Sequence, residues 1–262
     1  MKRFGAISVP AVLALIGGGI AQGGVLTDVL PDMRPWSAEE IQTFGISTAN
    51  SNDKLVSCDD WTQIDPTNIS GQEIITFQVG SANLGRGHLR TRRQSMSDGW
   101  HFFQTTSQID EAGTCSAIEQ EIAIIPPGQG SRWLPLASFS LYNVAEDGGL
   151  GDLVVCQMKR WCCLISISTC STNPPCSLPP QTDSINAGTR DVYPFHWQDQ
   201  FIPVEGVPSG QYWFVHTINP AGLLIESDYS NNDVYFLIEL NQEASPPTAR
   251  ILWAEQSMCP AP

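Results

Sequence analysis

The chain has 262 residues, with 13 Lys+Arg against 27 Asp+Glu and a formal net charge of −14. Charged residues make up only 15% of it, which argues against coiled coils, long solvated helices and charged disorder. The acidity excludes nucleic acid as a partner, because phosphate would be repelled over most of the surface.

Residues 1–21 read as a secretion signal. Lys2 and Arg3 precede an apolar stretch over 4–20, and Gly19 and Ala21 stand at −3 and −1 of a cleavage after Ala21. Pro10 and the Gly17-Gly18-Gly19 run suit a cleaved leader better than a permanent span. No later stretch reaches the roughly 20 apolar residues that a bilayer requires. The expected location is extracellular. There Cys58, Cys115, Cys156, Cys162, Cys163, Cys170, Cys176 and Cys259 can form disulfides, in a pairing that sequence leaves open. A zinc knuckle is disfavoured, since Cys162 and Cys163 are adjacent and no CxxC pair exists.

The remainder, 22–262, reads as one domain. Residues 23–35 look like an entry linker, and Ser37-Ala38-Glu39-Glu40 is a capping box that predicts a short helix to about Phe44. Asn68-Ile69-Ser70 is a glycosylation sequon. From Ile74 onward, β-branched and aromatic runs predict strands at 74–79, 100–106, 121–125, 138–144, 153–156, 164–168, 201–204, 211–218 and 234–240. Gly, Pro, Asn and Asp separate them. These runs predict an all-β, antiparallel β-sandwich with long disulfide-pinned loops, 169–188 being one such loop. Residues 241–262 read as a proline-rich C-terminal tail.

Three stretches together resemble the lysyl oxidase family in its bacterial style. The fullest is Gly210-Gln211-Tyr212-Trp213-Phe214-Val215-His216-Thr217-Ile218-Asn219-Pro220, followed by Glu226-Ser227-Asp228-Tyr229-Ser230-Asn231-Asn232. The second is Asp191-Val192-Tyr193-Pro194 with Gln200-Phe201-Ile202 and Gly206-Val207-Pro208 after it. The third runs from Phe77 through Asn83-Leu84-Gly85 to Trp100-His101-Phe102. The resemblance implies copper-dependent oxidative deamination of peptidyl-lysine, with a quinone made from one tyrosine and one lysine.

Residue by residue, the implied chemistry is incomplete. Tyr193 stands where the quinone-forming tyrosine is expected, and is the candidate catalytic residue. His101 matches the third histidine of the copper motif, but Ser97 and Gly99 occupy the two alternate positions before it. His196, three residues after Tyr193, is the candidate replacement ligand. His88 reads as solvated or hydrogen-bonded, and His216 as a core or face residue. The family's lysine lies four residues before a strand cysteine, which Cys156 places at Asp152, so a tyrosine-derived quinone is not expected. Only Lys2, Lys54 and Lys159 exist, leaving the last two to be tested against the Tyr193 ring after signal removal.

The expectation is therefore a secreted lysyl oxidase-like protein, degenerate as an amine oxidase. If active, it would act on lysine-rich extracellular proteins drawn by its acidity. The rival is a noncatalytic extracellular binding or adhesion module, with loop 169–188 and Trp197 and Trp213 as its contact surface. The basic cluster Arg86, Arg90, Arg92 and Arg93 reads as a strand face paired with local acids rather than an anion site.

Overall fold

A computed structural model describes residues 26–35, 44–56, 58, 67–127, 135–160, 168–169, 175–176, 183–193 and 199–254. The predicted signal, the capping-box helix, the strand at 164–167, most of loop 169–188, His196, Trp197 and four of the cysteines lie outside the described residues. Within them the chain is all β, with no helix.

The largest sheet is antiparallel throughout. Its strands lie side by side as Leu150–Arg160, Pro135–Val144, Gly210–Ile218, Asp233–Asn241 and Thr248–Ala254. The last of these falls inside the stretch read as a tail; its Ala249, Ile251 and Ala254 pack against the core, and a bulge opposite Leu237 and Ile238 leaves Trp253 on the outer face. Facing this sheet are two smaller ones. Glu73–Phe77 pairs with Phe44–Thr48 and Phe201–Pro203. Val79–Asn83 pairs with Met33–Pro35 and Thr189–Tyr193. A third layer is built on Leu89–Met96, Gly99–Ile109 and Cys115–Ile125.

Period-two alternation fills the space between the facing sheets. Phe139, Leu141, Phe214, Phe236, Ile238 and Leu240 point inward and meet Ile75, Phe77 and Val79 from the opposite side. Phe77 stands edge-on to both Phe139 and Phe214, with ring centroids 4.6 and 4.8 Å apart. Such pairs add to the burial of large apolar area. A second cluster joins Met33, Leu89, Phe102, Leu136, Ala137, Ile218 and Tyr193.

Two disulfides staple the sandwich. Cys58 bonds Cys156 across 98 residues, and Cys115 bonds Cys176 across 61. Gly85 and Gly87, which are not part of any phosphate cradle, allow a close backbone approach. A Cβ on either would collide with the backbone of Val29 to Asp32.

Phe214 touches Phe44, Phe77, Phe139 and Phe236 at once. Phe214→Ala is expected to cost about 3–5 kcal/mol of unfolding free energy, read by urea denaturation.

Candidate functional site

The Pro135–Val144 strand sets the position of the interior polar groups through its two neighbours. Ala137 lies opposite Lys159 on one side and Ile218 on the other, while Phe139 lies opposite Gln157 and His216. Residues directly opposite across a ladder share a face. Because Phe139 faces the core, Lys159, Gln157 and His216 must face it as well. All are buried, Lys159 at 5% exposure.

Lys159 meets a tyrosine there. Its Nζ lies 4.0 Å from the ring centroid of Tyr193, which is itself buried at the end of the Thr189–Tyr193 strand. A desolvated ammonium over an aromatic face is favoured by about 2 kcal/mol. Asp191, two residues earlier on the same face, is also buried. The lysine assignment made from the spacing to Cys156 is thereby corrected. Asp152 is exposed, seven residues along the strand and so about 23 Å from Lys159. Cys156 pairs with Ser140 on the outer side, and Lys159, an odd step beyond it, turns inward. Lys54 sits in a short strand whose carbonyl accepts from Gln157.

The histidines do not gather around this pair. His101 neighbours Phe102, and Phe102 belongs to the cluster that holds Tyr193, so the imidazole points to the other face of its strand. Its Nδ1 lies 2.5 Å from Glu121 and its Nε2 2.8 Å from Asp98. The two carboxylates, Glu121 first, hold its pKa above the ordinary value. His88 bridges backbone groups, Nε2 to the Cys176 carbonyl and Nδ1 accepting from the Ala187 N–H. Burial and then Arg90 lower its pKa. His216 is the core residue expected, held down to about 3 by burial and by the Lys159 charge. Its Nδ1 has no partner, but a cation beside it opposes a second positive ion. His196 lies outside the described residues.

Copper, which the resemblance implies, does not fit these donors. Among the described residues no three His, Cys, Asp or Glu side chains converge on a metal position. In the basic cluster Arg92 is paired with an acid as expected, whereas Arg90 is buried and bonded to an amide. Arg92 grips Glu119 through two hydrogen bonds of 2.5 and 2.6 Å and lies 4.0 Å above the Phe103 ring, while Arg90 donates to Asn186.

The Glu226–Asn232 segment forms a latch, unforeseen from sequence, around the buried Glu226 and Asn232 side chains. Glu226 accepts from the Met33 N–H at 2.6 Å and from the side-chain amides of Asn219 and Asn232 at 2.7 and 3.1 Å. Asn219, at φ 50° in the Asn-Pro turn, also bonds both backbone groups of Leu224. The Tyr229 hydroxyl closes the loop on Leu224 and Glu226. Burial raises the Glu226 carboxyl to about 7 against the pull of its three donors.

The lysyl oxidase family model matches residues 139–246. Over this segment the chain is similar to the lysyl oxidase family. The segment spans a little over two-fifths of the chain and includes Lys159, Tyr193, His216 and the Glu226 latch, but not His101. No curated protein matches the chain.

Two titrations follow from these environments. By NMR, His101 is expected to titrate above 6.5, His88 below it, and His216 to stay neutral down to about pH 3. Replacing Asp98 and Glu121 by their amides should return His101 toward 6.5. Glu226 has a raised folded pKa, so its contribution to stability is present below about pH 4.5 and is lost as pH rises through about 7. Thermal melts between pH 5 and 8 should show a shallower pH slope in Glu226→Gln than in the wild type.

Proposed function

We propose that this is an exported lysyl oxidase-like protein that acts as a noncatalytic binding module. The observation that carries the proposal is the commitment of its histidines. The whole sequence has 4. His101 is held between two carboxylates, His88 spans two backbone segments, and His216 is neutral beside a buried cation. Three histidines held by separate partners support a reading without a three-imidazole copper site among the described residues. Export is supported by the leader-like residues 1–21 and by the two disulfides.

In this reading Lys159 and Tyr193 are a packing element. The ring face stabilises an ammonium that the strand register forces into the core, and the lysine stem fills space beside Ala137.

One observation favours a second reading, a peptidyl-lysine oxidase. A lysine and a tyrosine in contact inside a family segment are the two side chains that the family's quinone joins. The acidic surface would then draw cationic, lysine-rich extracellular proteins.

Purified protein exposed to copper and air separates the two. Metal analysis, redox-cycling quinone staining and peptide mapping are all read on the same sample. The binding-module proposal expects no stoichiometric copper, no quinone signal, and separate tryptic peptides for Lys159 and Tyr193. A cross-linked Lys159–Tyr193 peptide that stains as a quinone would overturn it and establish the oxidase.

A further inference from the structure

The outer face of the five-stranded sheet carries a cavity remote from the interior chemistry. Since Phe214 and Phe236 point into the core, Trp213 and Tyr235 point out. Trp213, Leu237 and Trp253 are cross-strand neighbours in one row. The Trp213 and Trp253 rings meet at 88° with centroids 5.6 Å apart, forming a corner rather than a flat platform. With Tyr235, Gly149 and Leu150 they line a cavity of about 240 Å³. It is open to solvent, with Trp253 at 50% and Leu150 at 46% exposure.

The chemistry of the walls narrows the ligand. The Trp213 indole N–H donates to the Gly148 carbonyl at 3.0 Å, and the Tyr235 hydroxyl donates to Asp233 at 3.3 Å. What these two residues present to the cavity is aromatic face. A hydroxyl-rich sugar would lose water there without regaining hydrogen bonds. An apolar group would fit, and the local charge says which kind. The Asp147 carboxylate borders the Gly149 wall, where it accepts the Gly149 N–H at 2.9 Å, and Asp233 lies behind Tyr235. Both are exposed, in a chain of net charge −14. Aromatic faces at right angles with carboxylates nearby are complementary to a cation whose charge is spread over methyl groups.

We propose that this corner binds a quaternary ammonium group, with Trp213, Trp253 and Tyr235 as its walls and Asp147 supplying the long-range attraction. The site does not depend on whether the interior pair reacts, so the two proposals can fail separately.

Isothermal titration calorimetry of the full purified protein tests it, with tetramethylammonium chloride as the probe at constant ionic strength. Saturable binding is expected. Uncharged tert-butyl alcohol, similar in shape, should bind at least about tenfold more weakly if the aromatic faces recognise charge. Trp253 is half exposed, so Trp253→Ala should keep the wild-type melting behaviour and lose at least about tenfold in affinity for the cation. Asp147→Asn should weaken the cation and leave the alcohol unchanged. Choline and trimethyllysine compare a lipid-type source of the group with a peptide-type one, and tighter binding of either supports the site. No saturable heat with tetramethylammonium, equal affinity for the alcohol, or full binding by a folded Trp253→Ala would each overturn the proposal.

Discussion

Alternation along the Pro135–Val144 strand is the constraint on which the interior depends. Once Phe139 is fixed in the core between Phe77 and Phe214, the ladders on both sides leave no choice for their partners. His216 and Gln157 must be buried, and one step along the strand so must Lys159. Burying a lysine is unfavourable unless something compensates the lost hydration. The Tyr193 ring, brought in by the opposite sheet, is part of that compensation. A one-residue slip of Leu150–Arg160 against Pro135–Val144 would turn Lys159 to the outer face while Phe139 stays in the core. The aromatic core therefore holds the lysine and the tyrosine in register.

Much of the fold was legible because the strands carry the expected period. The runs at 211–218 and 234–240 appear within one residue of their observed ends, as Gly210–Ile218 and Asp233–Asn241. Several strands were not legible, among them Thr27–Val29 and Met33–Pro35 in the stretch read as an entry linker and Phe44–Thr48 before the first predicted strand. Leu89–Met96 carries three arginines, and Arg92 is made compatible with a strand by Glu119 and the Phe103 ring on neighbouring strands. Thr248–Ala254 follows two prolines, and its apolar residues are too few to signal a strand without Asp233–Asn241 beside it. Thr189–Tyr193 mixes Arg and Asp into its pattern, because it borders the polar part of the interior.

The site was half legible. Tyr193 stood out by its Asp-Val-Tyr-Pro setting, but the lysine that lies over its ring could not be found by counting from a cysteine. Sequence distance from Cys156 says nothing about face until the register is known, and a register shift follows Leu141 in that ladder. Lys159 becomes recognisable only when Ala137 is seen opposite it. The surroundings of His101 depend on register in the same way. A strand histidine beside Trp100 and Phe102 suggests a ligand by motif, whereas its face is decided by the core position of Phe102. The carboxylates that claim it, Asp98 and Glu121, lie on opposite sides of the ring and come from different parts of the chain.

The same alternation separates the two faces of the large sheet chemically. Trp213 and Phe214 are adjacent, yet one lines an exposed corner while the other anchors the core. Tyr235 and Phe236 repeat the arrangement on the next strand. Inner residues are held by packing on both sides, so their replacement is paid for in stability. Outer residues answer mainly to whatever binds them. A change in the interior polar groups need not disturb the rigid backbone that positions the aromatic corner outside. The inner phenylalanines fix the backbone from which the outer rings project, so the packing of the core sets the geometry of the exposed corner whatever Lys159 and Tyr193 do.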